Sequence, residues 1–161
     1  MPVSPYTLTA LDANGVVVGT YDNSLTLRAG EERWVVISVF RASPAPATVQ
    51  FQIRRNKPFR PAMKYPAPTL TISQATLQPN ARGDGSTQTG QVKNETKTID
   101  VPQVEVSSVF FDAAGKLITA DSTYISNLKA DQTASFKLTG PTQTPADTKT
   151  YATPQLIDGL Y

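Results

Sequence analysis

The residues best suited to bind a charged ligand are five cations that lie within eleven residues without an acid among them. Phe59 lies between these cations and Tyr65 follows them. A basic segment with aromatic residues can bind a polyanion, such as an acidic glycan or anionic lipid headgroups. Without a shaped groove, however, five charges give little selectivity, so a solvated linker is the favoured interpretation. The five cations are Arg54, Arg55, Lys57, Arg60 and Lys64.

Four short motifs resemble known functional motifs, but their residues are also typical of turns. Residues 82–84 spell Arg-Gly-Asp, an integrin-type sequence, and residues 94–96 form an N-glycosylation sequon. Residues 12–15 and 112–115 begin with Asp and end with Gly, like the start of a calcium loop, but no further oxygen ligands follow them. Asp, Asn and Gly are the residues that turns require, so all four motifs are interpreted as turns.

The composition argues against catalysis. The chain contains neither His nor Cys, which removes the commonest general base, thiol chemistry and the usual metal ligands. Close carboxylate pairs outside turns are limited to Asp100 with Glu105 and Glu31 with Glu32, and their spacing marks none as a perturbed acid. We therefore expect no enzymatic activity, no metal and no cofactor.

Charge and hydropathy exclude two further classes of partner. A net charge of +2 gives no overall field that would recruit nucleic acid, which is an unlikely partner. No run approaches the roughly 20 apolar residues of a membrane helix. The first five residues lack the basic start and apolar core of a signal peptide, so no targeting segment is expected in this chain.

The predicted elements are strands joined by turns. Thirteen Pro, abundant Thr and little Glu or Leu disfavour long helices and favour strands. Residues 101–138 form the clearest pattern, with an alternating strand, a turn, a second strand, a corner and a third strand. Further strands are predicted at residues 16–21, 32–40, 48–54, 69–78, 86–94 and 151–157. Their aromatic residues are predicted to be core or strand-pair aromatics: Trp34, Phe40, Phe51, Phe110, Phe111 and Phe136.

The chain contains an internal repeat. Residues 11–17 match residues 111–117 at an offset of 100, and residues 27–30 match residues 128–131 at an offset of 101. This predicts a truncated domain over residues 1–54, a Pro-rich basic linker over 55–68 and a complete domain over 69–161. The first copy contains no counterpart of the first two strands of the second copy. The structural turns are predicted at Asp12, Gly15, Gly30, Asp112 and Gly115.

The second copy resembles the FxLYD-type domains of bacterial extracytoplasmic proteins. The matching residues are the Gly90–Asn94 strand, the run at residues 104–111, Asp112 with Gly115, Leu128 with Asp131, and Phe136. Asp131 stands where the family has Gly, and residues 124–128 depart from the namesake motif. The resemblance implies an all-β fold of two tandem immunoglobulin-like antiparallel sandwiches, the first incomplete. It carries over no catalytic residue.

The expected function is that of a non-catalytic structural or protein-interaction module in a bacterial cell-envelope or surface assembly. Its partner would be another protein or subunit of that assembly. The alternative is a module that binds a glycan or another polyanion through residues 54–65. An incomplete sandwich exposes an edge and an apolar face. Either the chain is a fragment of a longer protein, or another surface covers the gap; we expect residues 6–10 or 32–40 to be covered by a partner or by the other repeat.

Overall fold

The protein is built from strands. The computed structural model describes residues 3–26, 35–37, 41–54 and 68–155, and these contain nine strands in three antiparallel sheets and no helix. The predicted all-β class is confirmed. The chain divides into two compact units, Met1–Glu32 with Ile37–Lys64 (unit 1) and Arg33–Val36 with Tyr65–Tyr161 (unit 2).

Unit 1 contains one three-stranded sheet. Its strands are β1 (Val3–Leu11), β2 (Val17–Thr26) and β3 (Thr48–Ile53), in the order β2-β1-β3. Successive side chains of a strand point to opposite faces, so one face of β1 presents Tyr6, Leu8 and Ala10, which are buried. The opposite face carries polar residues such as Thr7, whose hydroxyl bonds to Asp22. This sheet therefore has an apolar inward face and a polar outward face.

Unit 2 contains two three-stranded sheets that share a core. The strands are β4 (Leu70–Pro79), β5 (Ser86–Asn94), β6 (Val101–Phe111), β7 (Leu117–Leu128), β8 (Thr133–Gly140) and β9 (Asp147–Gln155). One sheet has the order β4-β5-β8 and the other β7-β6-β9. Across the two layers, β4 lies against β9 and β7 lies against β8. The arrangement is that of a β-sandwich.

The core of unit 2 draws residues from both sheets. Val92 on β5 and Phe136 on β8 pack with Val104 and Val106 on β6, and Leu128 at the end of β7 closes the cluster. Burial of each such side chain contributes about 1.5–3 kcal/mol relative to leaving it exposed. The alternating burial of β5 and β8 follows the period-two pattern of their sequences.

The sheet β2-β1-β3 and the sheet β7-β6-β9 have the same construction. Leu8 on β1 pairs with Tyr21 and Phe51, and Ser108, one hundred residues later, pairs with Asp121 and Thr150. The register of the first hairpin shifts between Ala10 and Leu11, and that of the second shifts between Phe110 and Phe111. The repeated sequence therefore folds into a repeated three-stranded sheet.

Several strand boundaries differ from the predictions. β2 runs to Thr26 and β7 to Leu128, whereas the sequence predicts that these strands end at residues 21 and 124; the pairing continues through polar residues. β9 begins at Asp147 because pairing to β6 holds Thr148 and Thr150, whose side chains gave little sequence signal. The sequence predicts about seven strands for the second copy, and the described part of unit 2 contains six. Residues 35–37, the described part of the predicted strand at 32–40, are not in a strand.

Candidate functional site

The inward faces of the two matched sheets differ in how they are covered. In unit 1 the centre of the face is buried: Tyr6 is 2% exposed and Ala10 is fully buried. Leu25 of β2 packs beside Tyr6 and Leu8, and Ile37, which the repeat matches to Leu138, packs against the same cluster. The central strand of unit 1 is therefore protected from water.

The edge strand β3 is not protected in the same way. Val49, Phe51 and Ile53 pair with Ala10, Leu8 and Tyr6, so their side chains lie on the inward face. They are 50%, 51% and 46% exposed. We call these three residues the β3 strip. The Phe51 ring contacts the Tyr6 ring, with the centroids 5.2 Å apart.

Phe51, predicted to be a core or strand-pair aromatic, is therefore a strand-pair aromatic and not a core residue, whereas Phe110, Phe111 and Phe136 are core residues. Trp34 and Phe40 lie outside the described residues. The sequence signal of Phe51 is that of a core residue, because it alternates with Val49 and Ile53 on a β-forming segment. What the sequence did not show is that the side chains of this strand are about half exposed.

Unit 2 shows what occupies the equivalent place. The inward residues of β9 that match the β3 strip are Thr148, Thr150 and Ala152. Strand β4 lies against β9, and Leu70 and Ile72 of β4 pack against the core to which Ala152 also contributes. The face of β9 is thus covered by an edge strand with aliphatic residues two positions apart.

The middle layer of the unit 2 core is polar. Thr150 Oγ1 lies 2.9 Å from Ser108 Oγ and accepts a hydrogen bond from Gln88 Nε2, also at 2.9 Å. Gln88 belongs to the opposite sheet, so this bond joins the two layers. The Oε1 atom of Gln88 is buried and has no protein hydrogen-bond partner. Leu8 and Phe51 occupy the positions of Ser108 and Thr150 in unit 1, so the same layer there is apolar.

The predicted basic cluster is described at one residue only. Arg54 follows β3, is exposed, and donates from Nη2 to Thr7 Oγ1 at 3.3 Å on the outward face. Its backbone N–H donates to the carbonyl of Pro5, which extends the β1–β3 ladder. The other four cations lie outside the described residues: Arg55, Lys57, Arg60 and Lys64.

The Asp-x-x-Gly motifs close the β1–β2 and β6–β7 hairpins. Asp12 Oδ1 accepts hydrogen bonds from the N–H groups of residues 14 and 16, and Asp112 Oδ1 does the same for residues 114 and 116. Gly15 and Gly115 have φ of 80° and 75°, a conformation that favours glycine. Both carboxylates are therefore occupied by backbone amides. Gly30 lies outside the described residues.

Two further sequence motifs contain residues with a positive φ. Asp131, at the position where the resembled family has Gly, has a φ of 55°, which Asp tolerates better than most residues. Residues 82–84 lie in the exposed turn between β4 and β5, with Gly83 at a φ of 70°.

The sequon asparagine is structural. Asn94 is fully buried, and its Nδ2 donates to the carbonyl oxygens of Ile99 at 2.8 Å and Lys129 at 3.2 Å. Its Oδ1 accepts from the N–H of Thr96. The amide nitrogen that a glycan would need is thus engaged inside the folded unit, in agreement with the reading as a turn residue.

The carboxylates considered for catalysis have local partners. Asp100 pairs with Lys129 Nζ at 2.8 Å and accepts from the N–H of Ala130, and these two bonds hold the pKa of its carboxyl below the ordinary value. Glu105 accepts from Gln155 Nε2 at 2.6 Å. Glu31 and Glu32 lie outside the described residues.

A second charged group surrounds the end of β5. Lys93 lies 2.9 Å from Glu95 and 3.3 Å from Asp131, and these bonds raise the pKa of Lys93. The hydrogen bonds from Lys93 and then Thr71 lower the pKa of Glu95. All of these groups are at the surface, so the cluster is a solvated ion-pair network.

Within the described part of the chain, no group of three or more acidic, His or Cys side chains could hold a metal ion. No described helix is both long and apolar enough to cross a membrane. No protein-family model, curated protein or solved structure matches the chain.

Proposed function

We propose that the protein is a non-catalytic interaction module made of two tandem immunoglobulin-like domains, the first incomplete, in a bacterial cell-envelope or surface assembly. The observation that carries the proposal is the β3 strip. Its three apolar side chains lie on the inward face of a sheet, where the matched sheet of unit 2 is covered by a strand.

The repeated architecture supports the domain assignment. Unit 2 pairs a β4-β5-β8 sheet with a β7-β6-β9 sheet, as an immunoglobulin-like sandwich pairs a sheet that contains strands A, B and E with one that contains strands C and F. Unit 1 repeats the second of these sheets, with the same hairpin turn and register. The extracytoplasmic location rests on the resemblance of residues 69–157 to FxLYD-type domains.

The size of the strip indicates how it would act. Three half-exposed side chains present roughly 250–300 Å² of apolar surface, since a buried Phe alone covers about 150–250 Å². A patch of a few hundred Å² is ordinary on a monomer, so the size of the strip alone does not mark an interaction site. The support comes from its position, on an inward sheet face that in unit 2 lies against β4. The protein therefore has a specific place at which a partner can bury apolar area.

A photo-crosslinking amino acid placed at position 51 in the full chain, expressed in the source cells, tests the proposal. We expect crosslinks to an extracytoplasmic protein from position 51 and few or none from position 52, whose side chain points outward on the same strand. With the crosslinker placed in the native gene, equal labelling at both positions, or crosslinks from position 51 to cytosolic proteins alone, would contradict the proposal.

The polyanion alternative is distinguished by a separate measurement. Retention on heparin or on anionic vesicles should be unchanged by charge reversal at Arg54, Arg55 and Arg60 if the protein is a protein-interaction module. Retention that is strong in the native chain and lost on charge reversal would favour the glycan- or polyanion-binding role through residues 54–65 instead.

A further inference from the structure

We propose that Asn14 is a site of spontaneous deamidation, a covalent modification of the β1–β2 turn that the matched turn of unit 2 cannot undergo. The proposal goes beyond the interaction role described above and stands independently of it. It rests on the chemistry of an asparagine followed by glycine, and on the position of this pair between the two strands of a hairpin.

Asn14 precedes the residue that hinders the reaction least. Deamidation begins when the backbone nitrogen of the following residue attacks the carbonyl carbon of the asparagine side chain. A side chain on the following residue obstructs that approach, and glycine has none. Nothing lies within 4 Å of the place that a Cβ of Gly15 would occupy, so the space around this residue is open as well. The other asparagines of the chain precede larger residues, namely Ser24, Lys57, Ala81, Glu95 and Leu128.

The reaction needs only water as a co-reactant. The Gly15 nitrogen forms a bond to Cγ of Asn14, the Cγ–Nδ2 bond breaks, and the proton of the Gly15 N–H leaves with the side-chain amide as ammonia. Water then opens the cyclic succinimide. Cleavage of the bond between the nitrogen and Cγ gives aspartate, and cleavage of the bond between the nitrogen and the backbone carbonyl carbon gives isoaspartate. Asparagine is accordingly among the thermolabile residues of proteins.

The turn limits the reaction without preventing it. The Gly15 N–H donates to the carbonyl oxygen of Asp12 at 3.1 Å, so this bond must open before the nitrogen can lose its proton and reach Cγ. Asn14 and Gly15 are both exposed. Opening of an exposed turn costs much less free energy than unfolding of the domain, so the reaction is accessible to the folded chain.

Two other asparagines show what restrains the reaction elsewhere. Asn94 is fully buried, and its Nδ2 donates to two carbonyl oxygens. Asn23 is the strongest competitor, because the Ser24 N–H donates to Asn23 Oδ1 at 2.8 Å and so lies near the side-chain carbonyl. Ser24 has a Cβ, however, and it belongs to β2, where pairing with β1 keeps the backbone extended.

The product would disturb the bonds that close the turn. Asp12 Oδ1 accepts hydrogen bonds from the N–H groups of residues 14 and 16. A new carboxylate at position 14 would repel the Asp12 carboxylate, and isoaspartate would add a methylene to the backbone between Asp12 and Gly15. Residue 114 is alanine, so the matched turn at Asp112 has no amide to lose. Deamidation would therefore loosen the hairpin of unit 1 alone.

The test incubates the full chain in a buffer of mildly alkaline pH, which favours loss of the backbone amide proton, and follows each asparagine by peptide mapping and mass spectrometry. We expect Asn14 to be converted at least about five-fold faster than Asn23 or Asn80 in the folded chain, because only Asn14 precedes glycine. An isoaspartyl methyltransferase identifies the isoaspartate at position 14. Conversion of Asn14 no faster than that of Asn23, or conversion only in guanidinium, would overturn the proposal.

Two variants and one further measurement complete the experiment. Ala114→Asn places the same pair of residues in the matched turn of unit 2 and should be deamidated there, because the two turns have the same hydrogen bonds. Asn14→Ala, which installs the residue of the matched turn, should abolish the modification at position 14 and keep the fold, as circular dichroism checks. In the deamidated native chain, separated by ion exchange, hydrogen exchange should be faster in the β1–β2 turn and unchanged in the β6–β7 turn. No deamidation of Ala114→Asn at position 114, or equal exchange changes in the two turns, would overturn the inference.

Discussion

Unit 1 and unit 2 contain the same three-stranded sheet with two different inward faces. The hairpin turns are superposable in their hydrogen bonds, from Asp12 and Gly15 in one and Asp112 and Gly115 in the other. The faces diverge: an apolar layer around Leu8 in unit 1 replaces a hydrogen-bonded layer around Ser108 in unit 2. The Asp and Gly residues that form the hairpin turns are repeated in the two units. The inward-facing residues, which contact the opposite layer, are not repeated.

The difference shows how a face is matched to its cover. Thr150 bonds to Gln88 of the opposite sheet, so the unit 2 layer is specific for its own β5. Phe51 offers no hydrogen bond, so the matching layer of unit 1 contains no comparable polar contact. A polar layer therefore favours one particular opposite strand, whereas an apolar layer constrains the opposite strand by size and hydrophobicity alone.

The largest expected effect contrasts two Phe residues. Phe110→Ala removes a fully buried ring from unit 2 and should lower the free energy of unfolding of that unit by about 3–5 kcal/mol. Phe51→Ala should cost unit 1 only about 1–1.5 kcal/mol, because half of the ring is already exposed. Hydrogen exchange resolved along the chain in guanidinium measures the two units separately. Equal costs would show that β3 is covered in the free protein.

The next contrast exchanges Gly19 and its match Thr119. A Cβ at Gly19 would lie 2.8 Å from the Arg41 carbonyl oxygen and 3.1 Å from the Ala42 Cβ, so backbone must move. Gly19→Thr should therefore destabilise unit 1 by about 2–3 kcal/mol. Thr119→Gly should cost unit 2 about 1 kcal/mol, through the lower strand propensity of glycine. Thermal unfolding of both variants checks the order, and a harmless Gly19→Thr would refute the close approach.

A third prediction concerns what the two units share. Gly15→Ala and Gly115→Ala each place a Cβ on a residue with positive φ, and nothing lies within 4 Å of either. Each should cost about 1–2 kcal/mol from backbone strain alone, and by the same amount. Denaturant unfolding of the two single variants measures the difference. A gap of more than about 1 kcal/mol would mean that the turns are not equivalent.

The sequence predicted what depends on local chemistry. The hairpin turns follow from Asp and Gly at fixed spacing, and most strands of unit 2 follow from alternation, because both signals lie within a few residues. The start of β9 was missed because Thr148 and Thr150 are held by pairing with β6, a contact across about forty residues. Tertiary pairing of that kind leaves no periodic signal.

The candidate site was missed for a related reason. Val49, Phe51 and Ile53 have the pattern of a buried strand, and whether such a strand is covered depends on a layer elsewhere in the fold. The internal repeat gave the indirect signal, because it aligns the β3 strip with the Thr148, Thr150 and Ala152 side chains of β9, against which β4 lies. The basic cluster, by contrast, was conspicuous in sequence, yet its one described member, Arg54, bonds to Thr7 of its own sheet.

The smallest expected effect is a change in how steeply the stability of unit 2 declines at low pH. Lys129 and the N–H of Ala130 stabilise the Asp100 carboxylate, so its folded pKa lies below the ordinary value of 3.8. The stabilisation is therefore complete above about pH 4 and is lost as the pH falls through the lowered folded pKa. Asp100→Asn should flatten the decline of unit 2 stability in that range, with unit 1 unaffected.

The effect should be small because the side chains of Lys129 and Asp100 are 64% and 52% exposed, and added salt should weaken it. Asp84→Asn, in the β4–β5 turn, is the matched loss of one carboxylate and should leave the decline steeper than Asp100→Asn does. Unfolding midpoints of unit 2 between pH 2 and 6 decide the point. If the unfolding midpoints of the two variants had the same dependence on pH, the Asp100–Lys129 pair would have no part in the acid response of unit 2.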